Sequence, residues 1–156
     1  MSFSTDIKEE LSRVNNWKDK EILAGEFFGY ILTGNTLDDK NSLQFITENE
    51  FNIERFYKIL FNLQIDYEPS VRGKVFVAKI IKNENTQKYL QINMSQNQEI
   101  QKAIVKGAFM GSGSITNPEK QYHLEISFKE KNNAEYVLNI CKSFGVYLKV
   151  LEQEEK

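Results

Sequence analysis

The sequence predicts an α+β fold made of two similar halves, because the chain repeats its own pattern. Residues 29–37 read GYILTGNTL and residues 107–115 read GAFMGSGSI, and each stretch closes an apolar, helix-like segment. The glycine segments are 78 residues apart in the numbering. Further along the chain, Leu43 and Leu124 continue the correspondence at an offset of 81. A longer loop at 117–120 accounts for the change. Self-similarity at a constant spacing indicates an internal repeat.

Composition is that of one globular domain, since 40% of the 156 residues are hydrophobic and 27% are charged. The sequence contains no apolar run of about 18 residues, the length that a membrane span needs, and no signal-peptide pattern, so we expect a cytoplasmic protein. With Cys141 as the single cysteine and His123 as the single histidine, an internal disulfide and a zinc cluster are both excluded. The net charge of −2 weighs against strong autonomous binding of nucleic acid.

The first two segments of the chain are predicted to be helices. Ser4 or Thr5 can cap a short helix through residue 13, because a hydroxyl accepts the free amide protons of a first turn. A second helix is predicted over residues 18–33, where apolar residues recur at spacings of three and four.

Two hairpins with a helix between them are predicted to complete the first half. The polar residues 38–41 form the first turn, and Gly73 supplies the positive φ that the second turn requires. Asn52 is predicted to cap the intervening helix, which runs to about residue 63. Residues 82–95 indicate at most a short helix. The predicted strands lie near residue 36 and at 42–48, 65–71 and 74–81.

The second half repeats this order with one strand fewer. Asn117 and Pro118 form its first turn, and Gly145 ends its second helix. The counterpart of the Gly73 turn falls at 153–154, so we expect an incomplete second repeat in a shortened version of a longer protein. We also expect self-association through the unpaired edge of its last strand. In this half the predicted helices are 98–111 and 132–144, and the predicted strands are 114–116, 122–128 and 146–151. The whole chain is predicted to form a single domain, which divides into an N-terminal helix at 1–16, repeat one at 17–95 and repeat two at 96–156.

Small residues recur at every fourth position on the helix that opens each repeat. Gly29 and Thr33 form this line in the first repeat, and Gly107 and Gly111 form it in the second. Glycine inside a helix costs about 1 kcal/mol relative to alanine, so close packing is expected to offset the penalty. The pattern predicts that the two helices meet along a pseudo-twofold seam.

With this organisation the chain resembles the LAGLIDADG homing-endonuclease fold. In that fold two αββαββ repeats pair their central helices and form a saddle-like antiparallel sheet. More narrowly, the chain resembles the WhiA family of bacterial transcription regulators over nearly its whole length, with a poor match at 82–95. The stretches that carry the resemblance are MSFSTDIKEELSR, EFFGYILTGNTL, ITENEFNIERFYKIL and, most specifically, KAIVKGAFMGSGSITNPEKQYHLEISF.

The resemblance implies a DNA-binding regulator of cell division or sporulation that associates with the nucleoid. Its N-terminal domain is a degenerate nuclease-like unit, and a C-terminal helix-turn-helix, which we do not find in this sequence, makes most of the DNA contact. A homing endonuclease has a carboxylate at the foot of each central helix, where paired acids hold a divalent metal. The corresponding residues here are Gly34 and Ser112, and neither carries a charge. We therefore expect no catalysis, no metal and no cofactor, with Asp38 and Asp39 as solvated turn residues.

Two other roles for the domain remain open. It can be a divergent LAGLIDADG DNA endonuclease that uses other acids, or a pure protein-interaction domain whose saddle binds another polypeptide. His123 is interpreted as a sheet-face residue and Cys141 as a core residue. Four basic residues are candidate DNA contacts on or near the saddle, with solvated edge lysines as the alternative interpretation: Arg72, Lys74, Lys79 and Lys149.

Overall fold

The computed structural model describes residues 3–33, 35–39, 41–90, 97–116 and 123–151. Gly34 and the predicted turns at 117–118 and 153–154 lie outside these residues. The helices are α1 (Phe3–Ser12), α2 (Lys20–Ile31), α3 (Glu50–Asn62), α4 (Glu84–Leu90), α5 (Gln98–Ser112) and α6 (Lys131–Ser143). The strands are β1 (Thr36–Asp38), β2 (Ser42–Thr47), β3 (Tyr67–Arg72), β4 (Val75–Ile81), β5 (Gly113–Thr116) and β6 (His123–Ile126).

Side-chain caps fix where the two central helices begin. The Asp19 carboxylate accepts the amide proton of Ile22 at the start of α2, and the Asn97 side chain accepts two amide protons at the start of α5. Helix α3 begins at Glu50, before the predicted position, so the prediction that Asn52 caps this helix is wrong. Asn52 lies inside the first turn of α3, where its side chain is buried.

The first repeat contains a four-stranded antiparallel sheet in the order β1-β2-β4-β3. Both predicted hairpins form, and Gly73 has a φ of +60° in the second turn. One face of the sheet carries Leu43, Phe45 and Ile80 into the core beneath α2 and α3. The other face carries Gln44 and Lys79, which are register partners on β2 and β4.

The second repeat contains a two-stranded sheet of β5 and β6. Helix α6 ends as predicted, with Gly145 at a φ of +81°. The predicted strand at 146–151 is wrong, because these residues form no ladder with any strand in the described part of the chain. A strand exists only where a neighbour accepts its backbone hydrogen bonds, so propensity alone did not suffice here.

Each repeat has its own hydrophobic core, and the central helices α2 and α5 lie between the two. The larger core, in repeat one, includes Phe27, Tyr30 and Phe56, whose rings pack against one another. The smaller core, in repeat two, includes Ile104 and Ile140. Within the described residues, no helix has the length and apolar character needed to cross a membrane.

Candidate functional site at the paired helix ends

Helices α2 and α5 touch through their backbones at two glycines. A Cβ atom added to Gly29 would overlap the carbonyl oxygen of Ile104 and lie 2.9 Å from the Cα of Gly107. A Cβ added to Gly107 would overlap the carbonyl oxygen of Glu26 and lie 3.0 Å from the amide nitrogen of Tyr30. These reciprocal contacts form the pseudo-twofold seam, which only residues without a side chain permit at this separation.

The same seam brings the carboxyl ends of both helices together. A Cβ on Gly111 would lie 2.6 Å from the hydroxyl oxygen of Thr33, and that hydroxyl donates to the carbonyl of Tyr30 at 2.8 Å. The last carbonyls of a helix have no partner within the helix, and they carry the negative end of its dipole. Two such ends side by side create a region of negative potential, which we call the helix-end junction (residues 30–36 and 109–113, apart from Gly34).

Asparagine side chains satisfy carbonyls at the helix-end junction in a symmetric way. The Asn52 amide donates to the carbonyl of Met110 at 2.7 Å and accepts from the Tyr30 hydroxyl at 2.7 Å. The Asn133 amide donates to the carbonyl of Leu32 at 3.4 Å. Asn52 and Asn133 correspond at the repeat offset of 81, and Leu32 and Met110 correspond at the offset of 78. Each repeat therefore caps the central helix of the other.

Two further groups complete the junction from opposite repeats. The Asn35 amide donates to the carbonyl of Gly111 at 2.9 Å. The Lys129 ammonium donates to the carbonyl of Thr36 at 3.3 Å and brings a positive charge towards the helix ends. One ammonium group and three amides thus bind carbonyls at the helix-end junction.

Carboxylates do not gather at the junction in the described part of the chain. Ser112, the last residue of α5, donates its hydroxyl proton to the carbonyl of Ser127 at 2.6 Å. Asp38 pairs with the Lys82 ammonium, which also donates to the carbonyl of Asp39 at 2.6 Å. Among the residues that the structure describes, no group of three or more His, Cys, Asp or Glu side chains has the geometry to hold a metal ion.

A buried ion pair lies under the seam, and the sequence reasoning missed it. The Arg55 guanidinium on α3 binds both carboxylate oxygens of Glu26 on α2, at 2.5 Å and 2.8 Å, and both side chains are fully buried. From across the seam, the Lys106 ammonium lies 3.4 Å from the same carboxylate. Burial lowers the pKa of Lys106, an effect that the nearby Glu26 carboxylate opposes. The sequence signal that could have revealed this ion pair is a charged residue on the apolar side of each of the two helices, α2 and α3.

Arg55 also joins the N-terminal segment to the core. Its guanidinium donates to the carbonyls of Ser12 at 3.1 Å and Val14 at 2.9 Å, and to the side chain of Asn16 at 3.1 Å. The Trp17 ring stacks over the guanidinium at 4.7 Å. All the hydrogen-bonding capacity of this arginine is therefore used within the protein, which indicates a structural role.

Three of the four basic residues considered for DNA contact lie on the sheet of repeat one or at its second turn. Arg72 and Lys74 lie at the β3–β4 turn and are exposed, while Lys79 is half-buried in mid-sheet between Gln44 and Glu68. Lys149 lies after α6, outside both sheets. Within the four strands, Arg72 and Lys79 are balanced by Asp38 and Glu68, so the strands of repeat one carry no net charge.

The single histidine and the single cysteine occupy ordinary structural positions. His123 lies exposed on β6, where its ring contacts the Glu125 carboxylate at 2.8 Å. Cys141 is buried in the repeat-two core, and burial raises the pKa of its thiol. A thiol with a raised pKa is a poor nucleophile at neutral pH.

Solved structures with the same arrangement define the fold. The crystal structure of the N-terminal LAGLIDADG domain of DUF199/WhiA aligns with a TM-score of 0.83 and 22% identity, over 98% of this chain and 81% of that one. Full-length DUF199/WhiA from Thermatoga maritima aligns with a TM-score of 0.77 and 24% identity, over 92% and 51%. The chain is a LAGLIDADG-like α+β domain, as the sequence predicted.

Sequence comparison finds relatives that share one name. A profile described as the WhiA LAGLIDADG-like domain matches residues 101–156. A curated relative from Lachnospira eligens, named probable cell division protein WhiA, is 29% identical over 97% of this chain. A protein of the same name from Staphylococcus haemolyticus is 28% identical over 99%. These findings confirm the predicted resemblance to the WhiA family.

The match covers nearly all of this chain but little more than half of each relative. The chain spans 56% of the Lachnospira eligens protein and 57% of the Staphylococcus haemolyticus protein. These relatives are named as cell division proteins and not as enzymes.

Proposed function

We propose that this domain is a non-catalytic part of a DNA-binding transcription regulator of cell division or sporulation that acts at the nucleoid. The domain serves as a scaffold or interaction module, and a helix-turn-helix elsewhere in the whole protein supplies most of the DNA affinity. The names of the relatives support the role in cell division. The roles in DNA binding, transcription and sporulation rest on the resemblance to the family.

The helix-end junction is the observation that carries the non-catalytic assignment. A two-metal or one-metal nuclease needs charged oxygen ligands at this place. In this chain, amides from Asn35, Asn52 and Asn133 satisfy helix-end carbonyls instead. The ammonium of Lys129 donates to the carbonyl of Thr36, where β1 begins. A cation at 3.3 Å from the Thr36 carbonyl repels a divalent metal at this position.

A cleavage assay tests this assignment directly. Supercoiled and linear duplex DNA are incubated with the protein and with magnesium or manganese, and the expected result is no cleavage above a protein-free control. The alternative of a divergent endonuclease requires acids that remain close to the junction, and Asp38, two residues after Thr36, is one candidate. Metal-dependent nicking that disappears in Asp38→Ala, while Asp66→Ala retains it, overturns the proposal.

A pure protein-interaction domain is the second candidate, and the mixed charge of the sheet favours it. Across the strands, Leu37, Gln44, Lys79 and Glu68 form one row with a single balanced pair of charges. Fluorescence anisotropy with duplex DNA at physiological salt is expected to give a dissociation constant of about 10 to 100 µM or weaker, as for nonspecific binding. Submicromolar, sequence-selective binding would place the DNA contact on this domain and refute both interpretations.

A further inference from the structure

The N-terminal segment, residues 3–17, contacts both repeats, and we call it the strap. Its helix α1 packs against α3 of repeat one and against β5 of repeat two. The Ser4 hydroxyl donates to the carbonyl of Ile115 on β5 at 2.7 Å and accepts the amide proton of the same residue at 2.6 Å. The Lys8 ammonium lies 5.5 Å from the centre of the Phe109 ring on α5. The first two turns of α1 thus attach the strap to repeat two.

The other end of the strap is attached to repeat one through Arg55. The guanidinium donates to the carbonyls of Ser12 and Val14 and to the side chain of Asn16. Its other two hydrogen bonds go to the Glu26 carboxylate on α2. The strap therefore accepts three of the five hydrogen bonds of a fully buried cation, and its position is linked to the ion pair under the seam.

Between these two attachments, little buried apolar surface holds the strap in place. All ten residues of α1 are described and none is fully buried, whereas six of the 13 residues of α3 are buried. Leu11 reaches only the margin of the repeat-one core. A helix of this length is marginal in water on its own, so α1 depends on its attachments. Segments with few buried apolar contacts open at a lower free energy than the core.

We propose that residues 3–17 dock and release as one unit while both repeats stay folded, and that the docked strap braces one repeat against the other. Release melts α1, frees the backbone groups of Ile115 at the edge of β5 and exposes the Arg55 guanidinium to solvent. Both ends release together, because α1 is too short to persist when only one end is held. The proposal rests on contacts within the domain and is independent of the proposed function.

Hydrogen exchange of the full 156-residue chain, followed by NMR, tests whether the strap opens separately. The amides of α1 and the amide of Ile115 should share one opening constant, at least about tenfold larger than that of the α2 and α5 amides. That constant should depend less on urea, since release exposes little surface. If these amides exchange only with the opening constant of α2 and α5, the strap opens only on global unfolding and the proposal fails.

Two variants, one at each end, test whether the strap moves as a unit. Ser4→Ala removes both bonds to Ile115, and because alanine favours a helix more than serine does, faster exchange in α1 cannot come from a weaker helix. Asn16→Ala removes one acceptor of Arg55 and leaves both of its bonds to Glu26 in place. Each variant should raise the opening constant of α1 roughly tenfold. Asn16→Ala should raise that of Ile115 by the same factor, although Ile115 lies in the other repeat.

Ser143→Ala is the matched control for the loss of a hydroxyl. Its hydroxyl donates to the carbonyl of Ile140 within α6, away from the strap, so the opening constants of α1 and Ile115 should stay at the wild-type values. If Asn16→Ala speeds exchange only close to residue 16 and leaves Ile115 unchanged, the two ends release independently and the proposal is refuted. The same conclusion follows if Ser4→Ala affects Ile115 but not α1.

Discussion

Changing Gly29 to alanine is expected to destabilise the protein, although the same change in an exposed helix stabilises by about 1 kcal/mol. The new Cβ would overlap the carbonyl oxygen of Ile104 and lie 2.7 Å from the amide nitrogen of Ala108. These are backbone atoms that cannot rotate away, so α2 and α5 must move apart. Overpacking of this kind costs about 1 to 3 kcal/mol or more, and the severity of the overlap places Gly29 at the upper end.

The expected net loss is therefore about 2 kcal/mol, which for a domain of this size lowers the melting temperature by roughly 4 to 8 °C. Thermal and urea denaturation of the purified variant measure it. Gly25→Ala is the matched control on the same helix, because its Cβ would meet Ile100 and Ala103 no closer than 3.0 Å. If Gly29→Ala is as stable as Gly25→Ala, the helices do not approach each other as described, and the reasoning fails.

Two further predictions concern buried polar groups. Arg55→Met leaves the Glu26 carboxylate buried with a single cation at 3.4 Å, so urea denaturation should show a loss of about 3 to 5 kcal/mol, and adding Glu26→Gln should recover part of it. An equally stable single variant would mean that the ion pair adds nothing. Burial and the nearby Glu26 carboxylate raise the pKa of Tyr30 well above 10.0, so the folded state retains a proton that the unfolded state loses above pH 10. The free energy of unfolding should be constant below pH 10 and decrease above it. Urea midpoints measured from pH 8 to 11 should show a smaller decrease for Tyr30→Phe. This variant also loses the hydrogen bond to Asn52, but it does so at every pH. An unchanged slope would contradict the assignment.

The order of helices and hairpins could be predicted because each depends on local signals. Apolar spacing defined α2 and α5, and Gly73 and Gly145 both have the positive φ that their positions suggested. The line of glycines predicted close helix packing, since glycines in register on a helix only destabilise it unless a neighbouring backbone comes close. The helices, the glycine turns and the close helix packing could be predicted because they depend on neighbours in sequence or on backbone sterics.

The polar interior could not be predicted in the same way. Charged and amide residues on a helix are ordinarily assigned to solvent, so Glu26 and Arg55 were overlooked and Asn52 was assigned to a cap. Each of them is satisfied by a partner from another element that is distant in the chain. The prediction of a strand at 146–151 was wrong for a related reason. Strand formation depends on a neighbouring strand, which the local pattern does not reveal.

The ammonium of Lys106 has a consequence for how the two halves find each other during folding. At the offset of 78, the position that matches Lys106 in the first repeat is Phe28. If two first repeats from different chains paired along their seams, each Glu26 would meet a phenylalanine and lose its second cation. The Glu26 side chain is fully buried, so solvent does not replace that cation. The correct partner supplies that cation at 3.4 Å. The buried acid thus discriminates between like and unlike halves, and it favours closure of the seam within one chain over domain exchange between chains.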